Sequence, residues 1–320
     1  MARAYELLIG LTEVDSESPF YRHHFPGFDG RRGCEGCATD VKKMRELTHY
    51  LGYEPVTLEP LINERATRAR VLAMLEAIAD PAFGITKDDI FFLYISCHGR
   101  SLGDAGGPTS ASLFGDSSGM AINMFLLHDR PLFNFELWSP LIRWAKSENT
   151  PRVFTVIDSC HAGLGTGLIT VFDQLLVEFL TAMVIRLTTS GPPDTRPTLS
   201  NSQALIQNLG TGLSKETTNQ VAKILEAFRS LYEGIHVVHF GAVRDELTAA
   251  GGDVERGSPF TRRFRQLFLN GGDMMGYDDF FTALKDLTPA RHTPVKELVP
   301  IGDGHLGAEH SMSCQTVFQI

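Results

Sequence analysis

The stretch that most constrains the fold runs from Arg152 to Gly165 and reads RVFTVIDSCHAGLG. Its first half, Val153 to Ile157, is an apolar run of β-branched and aromatic residues, the pattern of a strand buried on both faces. Its second half, Asp158-Ser159-Cys160-His161-Ala162-Gly163, turns small and polar where such a strand would end. In open α/β sheets, ligands bind outside the carboxyl ends of the strands. A cysteine there, with an acid two residues before it and glycines after it, points to a nucleophile.

A nucleophile needs a base. Ile90 to Gly99, IFFLYISCHG, is a second buried run that ends in Ser96-Cys97-His98-Gly99. The strand period of two puts Tyr94, Ser96 and His98 on one side, and Ile95 and Cys97 on the other. The same period puts Asp158 with Cys160. If the two strands are neighbours, His98 and Cys160 meet across their carboxyl ends, and Cys97 points away. His161 reads as a neighbour of the loop rather than as the base. A thiol with an ordinary pKa near 8.5 needs a base or a positive field to attack a carbonyl, and His98 can supply the base or protonate the leaving amine. The backbone N–H groups of Gly99 and Cys160 are the candidate oxyanion donors, since glycine permits close approach.

Bulk properties narrow the class. A chain of 320 residues that is 43% hydrophobic and 21% charged can bury one large α/β core. Net charge of −9, with no basic cluster, argues against a nucleic-acid surface. Five cysteines, widely spread, suit a reducing cytoplasm better than a disulfide framework. The N-terminus, MARAYELLIG, lacks the apolar core of a secretory signal. The longest apolar run, Leu168 to Ile185, carries Asp173 and Glu178, which argues against a membrane span. Cys34-x-x-Cys37 has no second ligand pair at zinc spacing, so no metal site is expected.

Along the chain, Tyr5–Gly10 reads as a first strand and Leu11–Arg32 as a long loop. A helix runs from about Glu35 to Leu51, with Val41, Met44, Leu47 and Leu51 at helical spacing and Gly52 as its stop. Glu54–Leu58 is a short strand, and Thr67 caps a helix bearing Val71, Leu72, Leu75 and Ile78. Strand and helix in alternation give an α/β fold with a mostly parallel sheet. Gly99–Ala121 reads as irregular, and Phe135–Lys146, Leu168–Leu187 and Lys215–Tyr232 as helices. Thr188–Gln203 between the last two is rich in Pro, Ser, Thr and Gly. Ile235–Phe240 is a further strand, Pro259–Leu269 and Tyr277–Leu287 are helices, and Ser311–Gln319 has the composition of a last edge strand.

YISCHG followed by IDSCHAG resembles the His-box and Cys-box of the caspase-like peptidases (peptidase C14 type), and among them the metacaspases and bacterial caspase homologues. His98 precedes Cys160 by a distance similar to the caspase spacing of about 50 residues. The caspase Gln-Ala before the cysteine is absent; Asp158-Ser159 stands there. The resemblance extends from Tyr5 to about Asn270, with GAVRDE and GSPFTRRF similar to the family's small-subunit loop and helix, and is weak over Thr170–Glu233. It implies a caspase-like fold with a six-stranded sheet sandwiched between helices. Residues 1–167 would be the large-subunit-like part, 168–234 a helical insertion with candidate processing sites at Arg186 and Lys215, and 235–320 the small-subunit-like part. Arg196 is followed by Pro197, which makes it a poor site.

The resemblance also implies a cysteine endopeptidase working through a His98–Cys160 dyad. Its metacaspase S1 pocket maps onto Cys37, Asp40, Ser96 and Asp158. Two carboxylates at a pocket floor favour a cationic P1 side chain and repel an acidic one, so cleavage after Arg or Lys is expected. Asp40 alone also fits a first-turn acid complementing the helix dipole, and Asp245 and Glu246 could reach the pocket rim. No cofactor is expected. Calcium, which many metacaspases need, is a weak expectation, because Asn134-Phe135-Glu136 lacks the acidic pair and Asp104, Asp116 and Asp129 read equally as solvated loop acids. No recruitment module is expected ahead of Tyr5, and an activating protein partner, the insertion or a separate sensor is expected to regulate a cytoplasmic effector of stress or defence. The alternative is a catalytically silent scaffold with the same fold.

Overall fold

In the computed structural model, the described residues are 2–30, 33–101, 123–133, 136–137, 140, 151–160, 237–242, 252–289 and 292–299. The expected helices at 168–187 and 215–232, the tail strand at 311–319 and most of the helix at 135–146 lie outside them. The core is a seven-stranded sheet. It consists of β1 (Ala4–Gly10), β2 (Glu54–Pro55), β3 (Leu61–Ile62), β4 (Ile90–Ser96), β8 (Arg152–Asp158), β9 (Val237–Gly241) and β10 (Val295–Val299). Spatial order is β10-β9-β8-β4-β1-β2, with β3 also pairing β1. The two short strands β2 and β3 pair successive parts of β1, at Tyr5↔Glu54 and Ile9↔Leu61, so seven strands fill six positions. All pairings are parallel except β10 with β9. This is the α/β sheet expected, save that its antiparallel edge is Val295–Val299, a segment the sequence reading passed over.

The central strands explain themselves. Every residue of β1 and β4 is buried, as are the last six of β8, so their unbroken apolar runs have both faces to fill. Against one face pack α1 (Pro19–His24) and α3 (Arg68–Ala79), with Tyr21, Val71, Leu75 and Ile78 meeting Phe91, Leu93 and Ile95. Against the other pack α2 (Cys37–Tyr50), α4 (Pro259–Leu269) and α5 (Tyr277–Asp286), with Val41, Phe264 and Phe280 meeting Phe92, Tyr94 and Phe154. Phe92, Phe154 and Phe240 form a row across three strands at centroid spacings of 5.4 Å. Such ring contacts add about 0.5–1.5 kcal/mol each beyond area burial.

Two expectations change. Leu11–Arg32 is not all loop, because Ser18 caps the six-residue helix α1 by accepting from Tyr21 N. Tyr21 is fully buried, and its hydroxyl donates to Leu127 O at 2.5 Å. Ser-Pro at a helix start was the signal available for it. Nor is the start of Gly99–Ala121 irregular. Gly99–Ser101 forms β5 of a second, antiparallel sheet with β6 (Asn123–Leu126) and β7 (Pro131–Phe133). No helix among the described residues is long and apolar enough to cross a membrane.

One buried acid stands out in the sheet. Glu6 of β1 is 4% exposed, accepts a hydrogen bond from the Thr48 hydroxyl of α2, and is pushed up by burial to a pKa of about 7. A carboxyl with a raised native pKa binds its proton more tightly when folded, so its ionisation opposes folding as pH rises through that value. Glu6→Gln, which keeps an acceptor for Thr48, is therefore expected to raise Tm relative to wild type above about pH 8 and to leave it nearly unchanged below about pH 5. Thermal melts of both proteins across that range measure the difference.

Candidate active site

The site lies at the carboxyl ends of β1, β4 and β8. β4 and β8 pair in parallel from Ile90↔Arg152 through Ser96↔Asp158. His98 and Cys160 each stand two residues beyond that last pair, at the same level of neighbouring strands. Both line one small cavity, together with Gly33, Cys34, Cys37, Ser96, Cys97, Asp158, Ser159 and Ser258.

Gly99 sets the approach of the two strand ends. A Cβ built on it would stand 1.7 Å from the carbonyl oxygen of Cys160 and 3.1 Å from Ser159 Oγ, so only glycine fits. The two candidate oxyanion donors are thus on backbones in direct contact. His98 is held from several sides. Leu126 N of β6 donates to its carbonyl at 2.9 Å, and the Phe28 ring meets its imidazole edge-on at 5.6 Å. A Cβ on Gly33 would lie 3.7 Å from His98 Cε1. Phe28 in turn carries Arg100 over its face at 5.3 Å.

The regular strand ends at Ser96, so the alternation expected to run on to His98 stops there. Ser96 points to the α2 side, where its hydroxyl donates to Asp40 at 3.2 Å. Cys97 belongs to the opposite core face, as expected, and its thiol donates to the carbonyl of His98 at 3.3 Å.

The four S1 candidates come together, in two layers. Cys37, Ser96 and Asp158 line the cavity; Asp40 stands behind Ser96, fully buried. Asp40 accepts from Ser258 N at 2.8 Å, and Asp158 accepts from the hydroxyls of Ser258 and of Thr261, the latter at 2.7 Å. Ser258 is also the N-cap of α4, accepting from Thr261 N at 3.0 Å. Tyr94 OH and Thr261 Oγ1 are 2.6 Å apart and extend the chain of hydrogen bonds into the core. Burial and mutual repulsion hold the Asp40 carboxyl above the ordinary carboxylate range, and burial does the same for Asp158.

Ser258 and Thr261 are the site residues that sequence reasoning missed. Ser258-Pro259 and Thr261 in GSPFTRRF are a helix-start signature, and nothing in the spacing says that this helix end faces Asp158 across the fold. Gly257 belongs with them. Its φ is +72°, and a Cβ there would lie 2.1 Å from Asp40 Oδ1.

The acids weighed for calcium have other partners where they are described. Asp129 accepts from Arg68 N at 2.8 Å, and Glu136 forms an ion pair with the Arg68 guanidinium. Among the described residues, no group of three or more His, Cys, Asp or Glu is arranged to hold a metal ion. Asp104, Asp116, His161, Arg186, Lys215, Asp245 and Glu246 lie outside the described residues.

A family model described as the caspase domain of peptidase C14 matches residues 22–300. The chain belongs to this family. Its fold is similar to a crystal structure of a Geobacter sulfurreducens protein, with a TM-score of 0.61, 19% identity and 99% of each chain covered. It is also similar to caspase-1 from Spodoptera frugiperda, with a TM-score of 0.50 and 9% identity over 92% of this chain and 86% of that one. No curated protein matches the sequence. At these identities the structural likenesses establish the caspase-like fold, and the family embraces peptidases and inactive members alike.

Gly257→Ala tests how much of this caspase-domain site hangs on one backbone position. The substitution meets both a positive φ and the Asp40 oxygen. It is expected to destabilise the fold by about 1–3 kcal/mol. Gly252→Ala, at φ +72° and 2.1 Å from Gly257 O, is expected to act alike. Gly27→Ala, at φ +76° with open space around it, should cost less. Urea denaturation of the three variants ranks them.

Proposed function

We propose that the chain is a cysteine endopeptidase that cleaves proteins after Arg or Lys, with Cys160 as nucleophile and His98 as its acid–base partner. The observation that carries the reading is the β4–β8 register, which sets His98 and Cys160 level just beyond the paired strands, in a cavity that Asp158 also lines. In this scheme the Cys160 sulfur attacks the scissile carbonyl carbon and His98 takes the thiol proton. The oxyanion faces the N–H groups of Gly99 and Cys160, each such donor contributing roughly 10²–10³ in rate. The C–N bond then breaks, His98 returns the proton to the leaving amine, and water hydrolyses the thioester.

The acid pair supports the basic P1 preference. Asp158 faces the cavity with its carboxyl fixed by Ser258 and Thr261, and Asp40 lies one layer behind. A guanidinium entering there would meet one carboxylate directly and the field of a second. Cys37 and Ser96 would form the walls. An acidic side chain would add a third negative charge to a site that already disfavours two. Residues 1–167, 168–234 and 235–320 would act as large part, insertion and small part, with self-cleavage after Arg186 or Lys215. A protein partner would activate the enzyme in the cytoplasm, and neither calcium nor another cofactor enters the chemistry. N-terminal sequencing that finds only intact chain in active enzyme would remove the self-cleavage.

Paired fluorogenic peptides test the core of the proposal. Wild type is expected to turn over the P1 Arg peptide and not the P1 Asp peptide, and Cys160→Ala to turn over neither. Asp preference would overturn the pocket and spare the dyad. The raised pKa values add a pH signature. A cationic P1 group favours the ionised pair, so the ratio of kcat/KM for P1 Arg over its uncharged analogue citrulline should rise as pH climbs through the pair's elevated titration range. Taking the ratio cancels the titration of the dyad. A flat ratio would sink the assignment of Asp40 and Asp158 to substrate binding.

A further inference from the structure

Four thiols line this one cavity, those of Cys34, Cys37, Cys97 and Cys160, and the proposed peptidase chemistry needs only one of them as a nucleophile. Cys34 and Cys37 are each 3% exposed, whereas Cys160 is partly open. Cys37 opens α2, and its N–H donates to the carbonyl of Cys34 at 3.1 Å, closing a tight turn. The neighbouring Cys37 thiol, burial and the more distant Cys160 together raise the pKa of the Cys34 thiol. Cys97 is differently engaged, with its thiol on the carbonyl of His98 and its side chain in the opposite core face.

We propose that Cys160, Cys34 and Cys37 form a peroxide-responsive thiol relay, in which oxidation at Cys160 ends as a Cys34–Cys37 disulfide in the cavity wall. The proposal rests on Cys160 being the reactive thiol of the site. Of the four cysteines described, Cys160 is the most exposed, so a hydroperoxide entering from solvent meets it first. The adjacent Cys37 thiol and burial keep Cys34 protonated and slow towards peroxide itself.

Each step balances. The Cys160 sulfur takes one oxygen from hydrogen peroxide to become the sulfenic acid, and the other oxygen leaves as water. The Cys34 sulfur then attacks the Cys160 sulfur. The S–S bond forms, the S–O bond breaks, and the departing hydroxide takes the Cys34 proton as a second water. The Cys37 sulfur next attacks Cys34, and Cys160 leaves as a thiol carrying the Cys37 proton. The sum is two thiols and one peroxide giving one disulfide and two waters. The hydrogen-bonded turn between Cys34 and Cys37 brings their Cα atoms within the span that a disulfide tolerates. The nucleophile is thereby spared the irreversible sulfinic and sulfonic states, and a thiol reductant restores the pair.

The test is peptide mapping by mass spectrometry of the full chain after stoichiometric hydrogen peroxide, in a Cys314→Ser background that removes the one cysteine outside the described residues. The expected product is a Cys34–Cys37 disulfide, two hydrogens lighter, with Cys160 still a thiol. Cys37→Ser is expected to trap a Cys34–Cys160 disulfide, and Cys34→Ser to accumulate Cys160 sulfinic acid several-fold faster than the parent. Sulfinic acid at Cys160 with Cys34 and Cys37 still reduced in the parent protein would overturn the relay, as would a Cys97–Cys160 disulfide. The parent's own map needs no variant to fold. Because the readout is mass and not turnover, a chain that forms the disulfide but cleaves no peptide would sink the peptidase reading and leave the relay standing.

Discussion

The in-register parallel pairing of β4 with β8 is the constraint on which the rest of this structure depends. Seven residue pairs zip two strands whose side chains are buried on both faces, so neither can slip without turning a row of Phe, Leu and Ile into the wrong layer. The pairing fixes the two strand ends at one level, and the site inherits that alignment. Gly99 then allows the backbone after His98 to close onto the carbonyl of Cys160. Packing against Phe28 and the hydrogen bond from β6 hold the histidine end in place.

The second organising element is electrostatic. Two carboxylates in a buried site are costly, since each is desolvated and they repel one another. The fold answers with directed donors: Ser96 and the Ser258 N–H for Asp40, and the Ser258 and Thr261 hydroxyls for Asp158. These bonds join α2, β4, β8 and the start of α4, tying residues 218 positions apart in sequence. The buried acid pair thus fastens the late part of the chain to the early part. Four thiols line the same small cavity as His98.

Much of this was legible from local pattern. Continuous apolar runs marked β1, β4 and β8, and the cap at Thr67 marked a helix start that the structure retains. Signals failed where local pattern is weak. β3 and β5 are two and three residues long and exist only because a neighbouring strand offers hydrogen bonds, so no periodicity could announce them. The helix α1 is six residues around one buried tyrosine, too short for an amphipathic stripe.

The sequence by itself determined the class of fold and the strands that lead to His98 and Cys160, because burial and alternation are written along a strand, one residue after another. The set Cys37, Asp40, Ser96 and Asp158 was what the resemblance to metacaspases implied. Only the tertiary structure decided that Asp40 lies behind Ser96 rather than at the cavity surface, and that Ser258 and Thr261 complete the acid site. It alone also decided that Cys34 joins Cys37 beside Cys160. Those are contacts between segments distant in the chain, and their partners are chosen by packing in three dimensions, which no local period encodes.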